Sequence, residues 1–151
     1  MSMQAVEPRA APTPPRGETH AHELDILAPL GRLLFAAIFI LASFGHFSSR
    51  EIAYAAQQGV PYAHALVPIS GVIALVGGLS VLFGFKAKLG AWLLVIFLVP
   101  VTLTMHAFWR AHDPMMAQMQ QAMFLKNVSM LGGALLIAYF GAGPISFDSG
   151  H

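Results

Sequence analysis

The chain has no cysteine. It therefore forms no disulfide, carries no CxxC redox motif, offers no thiolate nucleophile and holds no iron–sulfur cluster through thiolates. Charged residues are also scarce, at 10% of 151 residues, whereas soluble domains carry about 25%. Too few polar side chains remain to cover a surface in water, so the composition indicates an integral membrane protein.

Hydrophobic residues make up 56% of the chain, and the mean hydropathy is +0.66. The net charge of +1 gives no basic patch, so we expect no nucleic-acid partner. Residues 1–24 are rich in proline and alanine and lack periodicity, which is typical of a disordered tail. The apolar segment that follows is too long for the core of a cleaved signal peptide. We therefore expect one membrane domain over residues 25–148.

Four apolar stretches are long enough to cross a membrane, since a helix needs about 20 residues to span a hydrocarbon core of about 30 Å. They cover residues 26–47, 63–85, 89–109 and 120–140. Backbone polar groups find no water in lipid, so each span must be helical. The sequence therefore predicts an all-α fold, a polytopic four-helix bundle in a membrane whose lipid bilayer is its first partner.

The cations are unevenly divided between the two sides of this bundle. Short loops rich in Lys and Arg stay in the cytoplasm, and the tight hairpin between the second and third spans is basic. A cytoplasmic N-terminus would place Arg9, Arg16, Arg32, Lys86 and Lys88 inside, and Arg50, Arg110 and Lys126 outside. We therefore expect an N-in/C-in orientation.

Capping residues predict where helices begin and end. Ser48 or Ser49 is suited to cap a short helix after the first span, and Gly59 to end it. Asp113 before Pro114 is a typical helix start, so we expect the fourth helix to begin outside the membrane and run inward. Pro100 lies inside the third span and predicts a kink there.

Small residues on the second and fourth spans predict close helix packing. Ala74 and Gly78 on the second span have the small-xxx-small spacing, and so do Ser129 and Gly133 on the fourth. Gly77 and Gly132, next to these glycines, extend the two smooth faces. Direct helix contact is the favoured interpretation of both faces. A smooth wall for a flat ligand is the alternative.

Several polar and aromatic residues fall in the same half of the predicted bundle, at the outer leaflet. They are His46, His106, Trp109, Lys126 and Asn127. The spacing of His106 and Trp109 places them near one helix face, where they would suit an aromatic head group. An interfacial histidine bonded to a carbonyl and an aromatic-belt anchor are the alternatives.

Lys126 is the most informative of these residues. A lysine at the bilayer centre costs about 2.5–3.5 kcal/mol on insertion scales, and less near a helix end, where its side chain can extend to water. No predicted span contains Asp or Glu, so the ammonium must pair with carbonyls, with Glu51 or Asp113 in the loops, with a lipid phosphate or with a ligand. The missing acids also argue against a transporter that depends on a membrane carboxylate.

Other chemical signals are weak. The methionines and His112 near the start of the fourth span fit a flexible apolar surface better than a soft-metal site. We therefore expect no metal site. The sequence also shows no Ser/His/Asp arrangement, no phosphate-binding loop and no haem attachment motif, and we assign no catalytic residue.

Short motifs in a fixed order resemble the DoxX family. They are SFGHFSS, AAQQGVP, ISGVIALVGGLSVLFGF, MHAFWRAHDP and FLKNVSMLGG, and the similarity covers residues 30–148. This resemblance implies a small four-helix protein of the bacterial inner membrane. It further implies a link to quinone-dependent oxidoreductases, such as thiosulfate:quinone oxidoreductase, and to oxidative stress. His106, Phe108 and Trp109 match one family motif, and residues 124–127 match another.

We therefore predict a membrane subunit of a quinone-linked redox or oxidative-stress complex. The predicted quinone-binding residues are His46, His106, Trp109, Phe124, Lys126 and Asn127. The histidines and the lysine would donate hydrogen bonds to quinone oxygens, and the lysine would stabilise charge on the reduced ring. The chain has no electron carrier of its own, so a catalytic role would require a partner, for which a soluble redox protein is expected. A homo-oligomer is the other expected assembly. A non-catalytic assembly protein is the alternative, and a small-molecule transporter ranks third.

Overall fold

A computed structural model of the protein describes residues 24–150. The described part is helical and contains no strand. The five α-helices are α1 (Leu27–Ser43), α2 (Ser49–Gln57), α3 (Ala63–Phe83), α4 (Ala87–Met105) and α5 (Pro114–Phe140). Single 3₁₀ turns occupy Phe44–Phe47, Phe108–Arg110 and Phe147–Gly150.

Four of these elements are long and apolar enough to cross a membrane: Leu27–Phe47, Ala63–Phe83, Ala87–Arg110 and Pro114–Phe140. The predicted all-α membrane bundle is thus confirmed. The predicted tail, residues 1–24, lies outside the described residues except for its last position. The fourth helix starts six residues before the predicted span, where the Asp113 carboxylate accepts from the Met116 N–H at 2.8 Å.

The helices pack in the order α1, α3, α4 and α5, each against the next. Helices α3 and α4 form a hairpin around Gly84, which has φ +63°. The short helix α2 packs on α3 and on the 3₁₀ turn that follows α1. Helices α1 and α5, at the two ends of this order, make few close backbone approaches. The bundle is therefore tighter around α3 and α4 than between α1 and α5.

The core lies around α3 and α4, where Leu94, Leu98 and Val81 are fully buried. Glycines of α3 bring it close to α4 on one side and to α1 on the other. A Cβ at Gly77 would lie 2.9 Å from the Gly90 carbonyl oxygen, and one at Gly78 would lie 3.0 Å from Ile40. The predicted packing face of α3 also includes Ala74, which is 1% exposed.

The predicted packing face of α5 divides into two parts. A Cβ at Gly133 would lie 2.8 Å from the Phe35 ring on α1, so this glycine makes room for an aromatic side chain. Gly132 has no atom within 4 Å of the equivalent position. Ser129 is exposed, and its hydroxyl bonds the Leu125 carbonyl of its own helix. Only Gly133 of the three residues contacts another helix through this face.

The two ends of the bundle carry different polar residues. The arginine end is where α1 begins, where α3 and α4 turn, and where α5 ends. Its Arg32 is 6% exposed, and its guanidinium donates to the carbonyls of Ala142, at 2.8 Å, Pro144 and Ile145. The segment 141–150 is thereby held beneath the helices.

Asp148 completes the arginine end. Its carboxylate accepts hydrogen bonds from the backbone N–H groups of Lys86 and Ala87 at 2.8 and 2.9 Å. These groups lie at the first turn of α4, where unpaired N–H donors favour an anion. The backbone N–H of Asp148 also donates to the Gly84 carbonyl at 2.8 Å. The last residues of the chain thus close this end of the hairpin.

Candidate functional site

A cavity of about 550 Å³ lies at the opposite end of the bundle, which we call the histidine end. Its lining is mainly apolar, and this size falls within the range of small-molecule sites. All five helices contribute to the wall. The polar and ionisable residues in the lining are His46, Glu51, Tyr54, Ser70, Thr104, His106, Lys126 and Asn127. Four of the six predicted ligand-binding residues are therefore brought to one cavity.

Helix α2 forms the wall nearest the end of the bundle. It begins as predicted at a serine cap, since Ser48 Oγ accepts from the Glu51 N–H at 3.2 Å. Ala55 is 2% exposed and packs with Val67 of α3. This packing fixes the helix on α3, and it places Glu51 and Tyr54 in the cavity lining.

His46 is positioned by the 3₁₀ turn after α1. A Cβ at Gly71 of α3 would lie 2.6 Å from the His46 Cβ, so the glycine allows α3 to pack directly against this turn. The His46 Nδ1 is 3.0 Å from the Ala42 carbonyl, and its ring centroid is 5.6 Å from that of Phe97. The ring is therefore held by the last turn of α1 and by α4.

His106 follows the last residue of α4 and belongs to a chain of polar side chains. Its Nδ1 lies 2.8 Å from Gln120 Oε1 on α5. Gln120 Nε2 in turn donates to the Tyr54 hydroxyl on α2, at 3.4 Å. Three helices are linked in this way across the mouth of the bundle. Sequence reasoning missed Gln120 and Tyr54, although an amide at the start of an apolar span was a usable signal.

The hydrogen bonds of both histidines limit what the rings can do. A carbonyl oxygen and an amide oxygen only accept, so each histidine donates through Nδ1. A neutral ring has a single N–H, which leaves Nε2 as an acceptor. Neutral His46 and His106 therefore offer lone pairs to a ligand, and donate a second hydrogen bond only as imidazolium ions. This differs from the predicted role, in which both donate to quinone oxygens.

Asn127 is the clearest sign of a binding site. It is 4% exposed and lines the cavity. No hydrogen bond to its amide is found within residues 24–150. The amide atoms are not among the fully enclosed polar atoms without a partner, so they reach the cavity space. A polar side chain in this position is therefore well placed to bond a guest molecule.

Lys126 precedes Asn127 and lines the same cavity. It lies six residues beyond Gln120, which is about 9 Å deeper along the helix axis. Its side chain is exposed, and no ion pair joins it to a carboxylate in the described part of the chain. The cavity thus holds a cation at depth beside an amide that has no partner.

Comparison with known proteins identifies the family. The family model of the SURF4 family matches residues 15–151. The chain belongs to the SURF4 family. It is 30% identical over 126 residues to inner membrane protein YqjF of Escherichia coli (strain K12), covering 82% of this chain and 91% of that protein. It is 27% identical over 129 residues to inner membrane protein YphA of the same strain, covering 82% and 89%. No solved structure matches.

The resemblance to the DoxX family was therefore wrong. Its motifs describe helix ends and packing faces of a small four-span bundle, whereas the SURF4 model matches residues 15–151. What the SURF4 relatives and the four apolar spans do show is an integral inner-membrane protein. The link to quinones and oxidative stress loses the support that it drew from the resemblance.

Two of the predicted ligand-binding residues of this SURF4 protein lie outside the cavity lining. Trp109 and Phe124 form an aromatic cluster with Phe108, in which ring centroids are 5.1 to 5.8 Å apart and the rings meet edge to face. Trp109 is 54% exposed. Such an arrangement joins the loop after α4 to α5 and suits an anchor at the membrane interface.

Proposed function

We propose that this protein binds a lipophilic small molecule that carries hydrogen-bonding oxygen atoms, in the cavity at the histidine end. The observation that supports this proposal best is Asn127, which is 4% exposed, lines the cavity and makes no hydrogen bond within the described part of the chain. Asn127 and Lys126 would donate to ligand oxygens, and the apolar walls would surround the rest of the molecule.

A quinone belongs to this ligand class and remains the narrower form of the proposal. Its carbonyl oxygens would accept from Asn127 and Lys126, and the hydroxyls of its reduced form would donate to Nε2 of the neutral histidines. Electrons would have to reach the quinone from a soluble redox partner or from another membrane subunit. The cysteine-free chain offers no redox thiol for this purpose.

The first test compares two leucine substitutions in α5. Asn127→Leu removes the amide from the cavity, whereas Ser129→Leu changes an exposed hydroxyl on the same helix. We expect native mass spectrometry of gently extracted protein to show a bound small molecule in the wild type and in Ser129→Leu, and to show none in Asn127→Leu. A wild-type protein that carries no small molecule, or a ligand retained in Asn127→Leu, would count against the proposal.

Thermal unfolding of the same variants separates a binding role from a structural one. Replacing an amide that makes no hydrogen bond to the protein by leucine should leave the ligand-free protein at least as stable as the wild type. A loss of stability in Asn127→Leu would instead mean that the amide holds the fold. In that case the loss of ligand would carry no weight for the proposed function.

We also infer that the arginine end faces the cytoplasm, because Lys86, Lys88 and Arg32 lie there and short basic loops stay inside. The absence of cysteine makes every introduced thiol unique. Gln57→Cys at the histidine end should react with a membrane-impermeant maleimide in spheroplasts. Ser149→Cys at the arginine end should react only after lysis. The reverse pattern would invert the orientation and place the cavity at the inner leaflet.

A further inference from the structure

We infer that the ligand is an anionic amphiphile with an acyl chain, which enters the cavity sideways from the bilayer through a gap between α1 and α5. This inference deepens the proposed function and rests on it. The head group would lie against Lys126 and Asn127, and the chain would leave the protein between the two helices. The class of ligand is thus a membrane-resident lipid rather than a compact solute.

The gap follows from the packing order of the helices. Helices α1 and α5 stand at opposite ends of that order and make few close backbone approaches. The cavity lies between them on this side, since its lining includes Ile38 and Ala42 of α1 and Lys126 and Met130 of α5. Ile38 is 38% exposed, and Ala42 is exposed as well. The cavity therefore has an apolar edge that faces lipid.

The gap closes toward the arginine end at one contact. Phe35 of α1 lies over Gly133 of α5, where a Cβ would come within 2.8 Å of its ring. Around this contact the core cluster, with Ala36, Phe39 and Ala134 fully or almost fully buried, fills the space between the helices, and Phe39 also lines the cavity. The cavity is therefore a side pocket with an end wall, and within residues 24–150 it does not continue to the arginine end.

An apolar slot of this kind is filled by the bilayer. Lining atoms that face a void lose their dispersion contacts, and acyl chains are the molecules present at that depth. A head group drawn in with the chain would meet Asn127, and it would remain in the cavity only if its chemistry matched the wall. The wall therefore selects among lipids that already reach it.

The charges in the lining indicate the sign of the head group. Lys126 and Asn127 are adjacent on α5, and together they provide an ammonium and an amide to a carboxylate or phosphate oxygen. Glu51 is the lining's charged residue on α2, and its Cγ lies beside Gly45 on the 3₁₀ turn. An anion is attracted to the α5 wall and repelled from the α2 wall, so the head group belongs on α5.

The test uses a long-chain fatty acid with a diazirine in its chain as the probe, and full-length protein in lipid nanodiscs. After photolysis, adducts are mapped by mass spectrometry. We expect adducts at the lining residues of α1 and α5 to exceed those at exposed Leu135 and Leu136 of α5; these lining residues are Ile38, Phe39, Ala42, Lys126, Asn127 and Met130. A short-chain diazirine carboxylic acid should label the cavity several-fold less. Equal labelling by the short acid would overturn the assignment to a lipid.

Two tryptophan substitutions on α1 test the route. Ala42→Trp places an indole in the gap, and Leu41→Trp places one on the neighbouring position, which is 72% exposed and absent from the cavity lining. We expect Ala42→Trp to reduce cavity adducts about fivefold or more, equivalent to about 1 kcal/mol, and Leu41→Trp to leave them unchanged. Ile38→Trp serves as a second blocking variant if Ala42→Trp is unstable.

Asn127→Leu separates failure of the route from failure of the proposed function. If Asn127→Leu abolishes the cavity adducts and both blocking variants leave them intact, the ligand site stands and the lateral route is wrong. If cavity adducts do not exceed those at Leu135 and Leu136 even in the wild type, both the lipid ligand and the lateral route are wrong. A ligand found by native mass spectrometry would then still support the proposed function.

Discussion

At the arginine end, polar side chains bond the backbone, with Arg32 Nε left as a buried atom without a partner among the described residues, whereas at the histidine end several polar side chains face a cavity. Arg32 donates to three carbonyls of the C-terminal segment, and Asp148 accepts from two N–H groups at the start of α4. Asn127, by contrast, is as buried as Arg32 and has no hydrogen bond among residues 24–150. Arg32 and Asn127 are thus similarly buried, but Arg32 bonds the backbone and Asn127 faces a cavity.

The comparison separates polar residues that hold the fold from those available for a ligand. Removing a paired group leaves carbonyls or N–H groups without partners and should destabilise the protein. Removing a group without a partner should leave stability unchanged or higher. Variants at the arginine end should therefore lose stability and keep ligand binding, whereas variants in the cavity should lose ligand binding and keep stability.

Arg32→Leu should have the largest effect on stability. The substitution removes hydrogen bonds from a charged donor, each of which contributes about 1.5–3 kcal/mol, while the cost of burying the guanidinium is also relieved. We expect a net loss of about 2–4 kcal/mol, measured by thermal unfolding in detergent, and faster amide exchange in residues 141–150. Lys88→Leu at the same end is the control, because that lysine is exposed.

The cavity should survive this change, because the core cluster lies between it and the arginine end. Photolabelling of Arg32→Leu with the fatty-acid probe should therefore match that of the wild type at a temperature where both are folded. A loss of labelling in the folded variant would show that the two ends are coupled, and the comparison between them would fail.

Neighbouring glycines on α5 test the end wall of the gap. Gly133→Ala places a methyl group against Phe35, and overpacking of this kind costs about 1–3 kcal/mol. Gly132→Ala adds a methyl group in open space and should stabilise the helix by up to about 1 kcal/mol. Thermal unfolding of the two variants gives the comparison. Equal effects would mean that Phe35 does not rest on Gly133.

Removing the two charges of the cavity lining should change binding of an anionic ligand in opposite directions. Lys126→Gln should weaken binding of the fatty-acid probe about fivefold, since a partly exposed charge pair contributes up to about 1 kcal/mol. Glu51→Gln should strengthen it by a smaller factor, because it removes a repulsive carboxylate from the opposite wall. Competition against the photoprobe measures both changes. A neutral long-chain alcohol should respond to neither substitution, and a response would argue against an anionic head group.

Tyr54→Phe should have the smallest effect. Its hydroxyl accepts from Gln120 at 3.4 Å, a long hydrogen bond on a residue that is 38% exposed, so we expect a loss below about 0.5 kcal/mol. Tyr62→Phe on an exposed loop is the matched control. A larger loss in Tyr54→Phe would indicate that the link from α2 through Gln120 to His106 is important for closing the cavity.

Much of the fold could be predicted from local properties of the sequence. Length and hydropathy predicted four spans, and the capping chemistry of Ser48 and Asp113 predicted the starts of α2 and α5. These features depend on residues within a few positions of one another. The role of Arg32 depends on carbonyls 110 or more positions later in the chain, and no local pattern indicates that the C-terminal segment returns to it.

The site could be predicted only in part, for a similar reason. Helix periodicity and topology brought His46, His106, Lys126 and Asn127 to one end, where all four line the cavity. Trp109 and Phe124 were predicted to join them, but the 3₁₀ turn at Phe108–Arg110 lets their rings pack on each other instead. The family was misassigned because short motifs of helix ends and glycine faces are shared by small four-span bundles.

The close approach of Gly71 to the turn after α1 has a consequence for how the family can vary. A Cβ at position 71 would clash with the Cβ of residue 46 and with the Ser43 carbonyl oxygen. Every amino acid except glycine has a Cβ, so the constraint does not depend on histidine. The side chain at position 46 can therefore change the chemistry of the cavity lining without altering this helix contact, as long as position 71 stays glycine.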